Sequence, residues 1–104
     1  AEKLGLSHDS LFRIASTATS QCWAMTSYLP VPGPVPTSPA NRDYTPGFTA
    51  AMMLKDLKLA QDAARALGSK PALGAEATRL FQALNDAGKA DLDFSSVYTL
   101  VAGK

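Results

Sequence analysis

Residues Gly47 to Gly68 read GFTAAMMLKDLKLAQDAARALG, the longest stretch of the chain without an internal helix breaker. Pro46 precedes the stretch and Gly68 ends it, which is the asymmetry expected of a helix that follows a proline and stops at a glycine. Apolar residues recur within it at steps of three and four, the period of one helical face. The spacing predicts an amphipathic helix whose apolar side consists of Met53, Leu57, Ala60, Ala64 and Leu67.

A charged pair, Lys55 and Asp56, interrupts the apolar run of this helix. A charge among apolar residues costs free energy unless it is partnered, so the pair is a candidate functional site. The alternative is a surface pair, because adjacent residues point about 100° apart on a helix. Spacing alone favours the surface pair. Lys58 and Asp62, four residues apart, are expected to form an ordinary solvated ion pair.

Composition bounds the class of protein. The chain has 104 residues, of which 46% are hydrophobic, and a net charge of +1. This length allows one domain at most, and the scattered basic residues give no basis for binding nucleic acid or a membrane surface. Cys22 is the only cysteine, so no internal disulfide forms and a reducing compartment is expected. Because no strand pattern persists, the chain is predicted to be all-α.

The same periodicity predicts four further helical segments, at residues 8–20, 21–28, 71–87 and 94–101. Ser7 and Asp93 are expected to cap the first and the last of these. Residues 1–4 fit the final turn of a helix that Gly5 ends, which implies that this helix begins upstream and that the chain is cut. His8 has no cysteine or carboxylate at metal-ligand spacing, so no metal site is predicted.

Six of the seven prolines fall between residues 29 and 47. Regular helix or strand is therefore excluded there, and an extended backbone is expected. A disordered linker is the usual interpretation of such composition. The apolar anchors Val31, Val35 and Tyr44 make an ordered loop that lines a site the second possibility.

Two aromatic residues precede the proline-rich segment. From the residues alone, Trp23 is expected in the core and Tyr28 at the surface, since both carry a polar group on a large apolar body. Cys22 is expected to be a buried, unreactive thiol because no histidine or basic residue stands beside it.

Several motifs together go further than periodicity. The element G-F-x-x-x-x-M-x-K-D-L-x-L-A covers residues 47–60 and resembles the C-terminal signature of the β-hydroxyacid dehydrogenase family. The run C-W-x-x-x-x-Y-x-P-V-P-G at 22–33, P-A-N-x-x-Y-x-x-G-F at 39–48 and D-F-S-S-V at 93–97 are similar to the 3-hydroxyisobutyrate dehydrogenase branch of that family. Leu29 departs from the branch, which often has asparagine there.

The resemblance implies a two-domain enzyme. An N-terminal Rossmann domain holds NAD, and an all-α C-terminal domain, a helical bundle with the 6-phosphogluconate dehydrogenase C-terminal-domain-like fold, completes the active site. The family's glycine fingerprint and catalytic lysine are absent from residues 1–104, so that lysine is expected upstream. Residues 1–104 are then one partial domain, the distal part of the all-α domain, truncated at its long N-terminal helix. The isolated chain is expected to be inactive and not to bind NAD by itself.

The resemblance also assigns roles to five residues. Lys55 contacts the cofactor, and Asp56 is the neighbouring carboxylate of the site. Phe48 shapes the pocket, and in the hydroxyisobutyrate branch Trp23 and Tyr28 border the substrate. A lysine ammonium can bond the hydroxyl or amide groups of a dinucleotide, and aromatic walls suit a small branched acid.

The implied function is NAD-dependent oxidation of 3-hydroxyisobutyrate to methylmalonate semialdehyde, a step of valine degradation, in a homo-oligomer. The partners are then a small β-hydroxy acid and the Rossmann domain, with neither nucleic acid nor membrane. The nearest alternative is a tartronate semialdehyde or glyoxylate reductase of the same family. An alternative of another class is a stand-alone helical dimerisation module.

Overall fold

The computed structural model describes residues 1–104, and every regular element in it is helical. No strand forms, and one isolated bridge joins Thr49 and Asp93. The all-α prediction is thus confirmed. The chain divides into two compact units, residues 1–45 and 46–104. The α-helices are α1 His8–Ala15, α2 Trp23–Ser27, α3 Ala50–Ala66, α4 Ala72–Leu84 and α5 Val97–Ala102, and short 3₁₀- or π-type turns cover Glu2–Leu4, Pro39–Arg42, Asn85–Lys89 and Phe94–Ser96.

Helix α1 is shorter than predicted. Ser7 caps it as expected, because the Ser7 hydroxyl accepts a backbone N–H at 3.2 Å, but the helix ends at Ala15 instead of residue 20. The S-T-A-T-S run that follows explains the early end, since serine and threonine hydroxyls compete for nearby carbonyls. Thr17 donates to the carbonyl of Ile14 at 3.2 Å, and Ser20 donates to that of Ala15 at 3.2 Å.

The proline-rich segment is an ordered loop held by one side chain. Oδ1 of Asn41 accepts the Gly33 N–H at 2.9 Å, while Nδ2 donates to the Val35 carbonyl at 2.8 Å and to the Ser38 hydroxyl at 3.1 Å. Val35 and Ser38 are buried. The linker interpretation is therefore wrong, and the loop is a folded part of the first unit.

One turn of 3₁₀-helix forms in this loop, although regular helix was excluded from it. The turn spans Pro39–Arg42 and has proline at its first position, where the fixed φ of proline is pre-organised and its missing N–H is not needed. Tyr44 then closes the loop by donating its hydroxyl to the carbonyl of Pro30 at 2.8 Å. The density of prolines thus prevents a longer helix in this loop, whereas a single turn tolerates proline at its start.

Helix α3 begins just after the Pro46-Gly47 pair and ends just before Gly68, as the sequence predicts. The Thr49 hydroxyl accepts the N–H of Met52 at 3.2 Å, which caps the first turn. Gly68 follows the helix with a φ of 71°, a left-handed conformation that glycine adopts without steric penalty. Pro46 and Gly47 lie just before the helix instead of inside it.

The core of the second unit lies between α3 and α4. Its buried members are Ala50, Leu54, Phe81 and Leu84, against which Met53, Leu57, Phe94, Val97 and Leu100 pack. The buried face of α3 thus differs from the predicted one. Ala60 is exposed and Leu67 is 85% exposed, because the cluster contacts only the first half of the helix. None of the helices is both long and apolar enough to cross a membrane.

Candidate functional site

Lys55 and Asp56 lie on the outer side of α3. Their neighbours Leu54 and Leu57 point into the core, which turns the two charged side chains away from it. Lys55 Nζ lies 3.6 Å from Asp56 Oδ1, and the side chains are 67% and 54% exposed. Neither charge is desolvated, so the apolar run in the sequence carries no electrostatic penalty. The ammonium and carboxylate are free to meet a ligand from solvent.

Lys55 also lines a groove along α3 of about 330 Å³, and the remaining lining residues are Ala51, Leu54, Lys58, Leu59 and Asp62. The groove combines an apolar floor with two ammonium groups. The predicted pair between Lys58 and Asp62 does not form, because Asp62 pairs with Arg65 instead. Lys58 consequently offers its charge to the groove. Two lysines and an apolar floor, together with the Asp62 carboxylate that Arg65 partners, fit a ligand that has both anionic and apolar parts.

Phe48 stands immediately before α3 and is held from two directions. Its ring meets that of Phe94 edge to face, with centroids 6.1 Å apart and an interplanar angle of 75°. Such pairs add roughly 0.5–1.5 kcal/mol beyond the area they bury. Its backbone carbonyl accepts the Phe94 N–H at 2.8 Å. The half-buried ring therefore has a defined place beside the start of the helix.

Asp93 makes more hydrogen bonds than the cap that the sequence predicts. It caps the turn Phe94–Ser96 as predicted, since Oδ2 accepts the N–H of Ser95 at 2.9 Å and its hydroxyl at 2.5 Å. Oδ1 in addition accepts the N–H groups of Gly47 at 3.0 Å and Phe48 at 3.3 Å. Asp93 is fully buried. Capping can be read from local spacing, but a bond to a residue 46 positions away cannot.

Trp23 and Tyr28 form a stacked pair in the first unit. Their ring centroids are 5.5 Å apart at an interplanar angle of 26°. Trp23 is 66% exposed, so the expectation of a core tryptophan is wrong. Helix α2 has only five residues and buries none of them. Cys22, expected to be buried, is exposed as well.

The structure therefore brings the predicted residues together in two pairs. Lys55 contacts Asp56 in the second unit, where Phe48 also lies, and Trp23 stacks on Tyr28 in the first unit. Nothing in residues 1–104 assembles a group of three or more metal-ligating side chains.

Comparison with known proteins decides the family. Residues 1–101 match a family model described as the NAD-binding part of NADP-dependent 3-hydroxyisobutyrate dehydrogenase. The chain belongs to this family. The resemblance drawn from the motifs is thereby confirmed at family level, together with a nicotinamide dinucleotide as the family's cofactor.

Curated relatives include two 3-hydroxyisobutyrate dehydrogenases and one L-serine dehydrogenase. A probable 3-hydroxyisobutyrate dehydrogenase of Mycobacterium bovis is 56% identical over 97 residues, which are 93% of this chain and 33% of the relative. The mitochondrial 3-hydroxyisobutyrate dehydrogenase of Drosophila melanogaster is 44% identical over 101 residues, 97% of this chain and 31% of the relative. An NAD-dependent L-serine dehydrogenase of Pseudomonas aeruginosa is 42% identical over 96 residues, 92% of this chain and 32% of the relative.

A solved structure agrees with the fold. The 3-hydroxyisobutyrate dehydrogenase of Mycobacterium tuberculosis, determined with L-serine, superposes with a TM-score of 0.89 at 55% identity. The match covers 96% of this chain and 34% of that one. The chain thus spans about a third of the length of the relatives it matches.

Proposed function

We propose that this chain is the distal part of the all-α C-terminal domain of an NAD-dependent 3-hydroxyisobutyrate dehydrogenase. The support is the match to a third of each relative, together with a helical architecture that has no strand and no dinucleotide-binding glycine motif. The bundle then has the 6-phosphogluconate dehydrogenase C-terminal-domain-like fold, and the Rossmann domain belongs to the rest of the enzyme. Residues 1–104 form one partial domain within it, and the whole enzyme is a homo-oligomer in the cytoplasm or mitochondrial matrix.

The observation that carries the proposal is the groove on α3. Lys55 and Lys58 place two ammonium groups along an apolar wall, which fits a ligand with anionic and apolar portions. Lys55 donates to the cofactor, and Asp56, at 3.6 Å, restrains the Lys55 ammonium. Bound NAD would supply the hydride acceptor for oxidation of the substrate's alcohol. The base that takes the alcohol proton is a lysine outside residues 1–104.

The aromatic residues define the substrate side. We assign Phe48, whose ring lies edge to face against Phe94, to an apolar wall of the substrate pocket. Within the first unit, the exposed Trp23 and the half-buried Tyr28 stack into an apolar surface with polar groups at its rim, which suits a small branched hydroxy acid. We assign both to substrate contact.

A chimera tests this proposal. Residues 1–104 replace the matching third of the M. tuberculosis enzyme, and NADH formation is followed with 3-hydroxyisobutyrate. We expect turnover. A chimera that folds and binds NAD, yet oxidises no 3-hydroxy acid, would contradict the proposal.

Two lysine variants of the same chimera test the assignment of Lys55 to the cofactor. Lys55→Gln should raise the KM for NAD at least about tenfold, as expected for loss of a hydrogen bond from a charged group. Lys70→Gln is the matched control, since Lys70 is an exposed lysine beyond the end of α3 that does not line the groove. Equal KM values for the two variants would remove Lys55 from the cofactor site.

A second substrate is favoured by two observations. One relative is named an L-serine dehydrogenase, and the solved relative was determined with L-serine. L-serine is itself a 3-hydroxy acid, with an ammonium where hydroxyisobutyrate has a methyl group. Measuring kcat/KM of the chimera for both acids decides which is preferred. We expect the branched acid, because the aromatic walls are apolar.

The isolated chain should neither turn over substrate nor bind NAD appreciably, since its groove is shallow and supplies only part of a site. Isothermal titration of the chain with NAD measures this. Micromolar affinity would show that residues 1–104 hold the dinucleotide without further protein.

A further inference from the structure

Asp93 is a fully buried carboxylate whose two oxygens accept hydrogen bonds from the backbone and from a serine hydroxyl. A buried charge is tolerated only when hydrogen bonds replace its hydration. The two oxygens divide these bonds. Oδ2 serves the local turn through Ser95, whereas Oδ1 serves the distant backbone amides of Gly47 and Phe48. Capping the turn needs only one of the two oxygens, and a serine at this position would supply one.

The bonds to Oδ1 belong to a wider attachment between two backbone segments. The N–H of Phe94 donates to the Phe48 carbonyl at 2.8 Å, and the N–H of Ala50 donates to the Leu92 carbonyl at 2.8 Å. Backbone hydrogen bonds thus join residues 47–51 to residues 90–94 on both sides of Asp93. The attached segment carries Phe48 and leads directly into the first turn of α3.

We propose that Asp93 is a positioning residue for the substrate pocket: its Oδ1 fixes the backbone at Gly47 and Phe48 and thereby places the Phe48 ring. The inference rests on the proposed function, in which Phe48 contacts the substrate. Asp93 itself has no solvent-exposed surface, so it acts through the backbone that it binds. Its Oδ2 has the separate task of holding the turn Phe94–Ser96.

Two variants separate the tasks. Asp93→Ser keeps an acceptor for the local turn, since serine is a good capping residue, but its side chain is too short to reach Gly47. Ser95→Ala removes one of the bonds to Oδ2 and leaves those to Oδ1 in place. Asp93→Asn is the conservative rescue of the distant bonds alone, because its carbonyl oxygen can accept the N–H groups of Gly47 and Phe48 while its NH2 group cannot accept the Ser95 N–H.

The chimera with the M. tuberculosis enzyme supplies the readout. Asp93→Ser should raise the KM for 3-hydroxyisobutyrate about tenfold while kcat changes less than about threefold, the pattern of lost substrate positioning. Asp93→Asn should restore most of the KM, and Ser95→Ala should leave it unchanged. A KM for Asp93→Ser equal to that of Ser95→Ala would overturn the inference. An inactive parent chimera would instead count against the proposed function.

A measurement without substitution covers the case in which Asp93→Ser does not fold. Native-state hydrogen exchange of the unaltered chain should show the amides of Gly47 and Phe48 protected as strongly as those in the core of α3. Rapid exchange at both positions would show that Oδ1 does not hold them, which would also overturn the inference.

Discussion

The two units of the chain are stabilised in different ways. In residues 1–45, one neutral side chain, Asn41, binds a proline-rich loop, and only α1 reaches eight residues. Residues 46–104 contain a core of apolar side chains between helices. One buried carboxylate, Asp93, binds the irregular backbone beside that core. A single polar side chain can therefore fix an irregular segment in both units. The free energy of unfolding of each unit depends instead on the apolar area that it buries.

The largest expected effect lies in the core of the second unit. Leu84 is completely buried among Ala50, Leu54 and Phe81, so Leu84→Ala should lower the free energy of unfolding by about 2–5 kcal/mol. Leu73→Ala on the same helix is the matched control, because Leu73 is 88% exposed and should change it by less than about 0.5 kcal/mol. Urea denaturation followed by circular dichroism measures both. Similar losses would mean that the core is elsewhere.

The next effect tests the first unit. Asn41→Ala removes the bonds to Gly33, Val35 and Ser38, and should cost about 1–3 kcal/mol because the buried Val35 and Ser38 lose this partner. Limited proteolysis should then cut residues 30–44 faster than before. Arg42→Ala is the control, since Arg42 donates only one exposed bond, to the carbonyl of Thr37. Equal cleavage of both variants would show that Asn41 does not hold the loop.

Ser95 and Ser96 form a comparison within the second unit. The Ser95 hydroxyl donates to the Asp93 carboxylate, so Ser95→Ala should cost about 1.5–3 kcal/mol. The Ser96 hydroxyl is buried without a partner in the protein, so Ser96→Ala should be neutral or stabilise by up to about 1 kcal/mol. Thermal denaturation ranks the two variants. A loss for Ser96→Ala as large as for Ser95→Ala would reveal a bound partner such as water.

The smallest effect is electrostatic and lies on the surface of α4. A hydrogen bond from Arg79 lowers the pKa of Glu76 below its ordinary value of 4.5. Because the folded-state pKa is the lower one, the pair stabilises the fold above about pH 4.5, and its contribution disappears as the pH falls through the folded-state pKa. Glu76→Gln should therefore be slightly less stable than the parent at pH 7 and equal to it at pH 2. A difference that persists in acid, or that salt does not weaken, would contradict the ion pair.

The sequence predicted the elements well and their contacts less well. Capping by Ser7 and Asp93 and the end of α3 at Gly68 follow from local chemistry, so they could be predicted. The buried face of α3 could not be predicted in full, because Leu67 fits the helical period but lies beyond the reach of Phe81 and Leu84.

The candidate site shows the same limit. The motif around Lys55 identified the family, and the match to residues 1–101 confirmed it. The roles of Lys55, Asp56, Phe48, Trp23 and Tyr28 stay predictions, because each depends on a ligand and on the protein around it. The exposure of Trp23 contradicts its reading as a core residue, since a five-residue helix has no face large enough to bury an indole.

The bond between Asp93 and Gly47 has a kinetic consequence. It closes a loop of 46 residues, whereas the contacts within each helix are local. Loop closure of this length carries an entropic penalty, so we expect the helices to form earlier in folding and this bond to form after the main barrier. Its loss should then accelerate unfolding while leaving the folding rate nearly constant. Asp93 would set how long the folded state lasts, independently of how quickly it is reached.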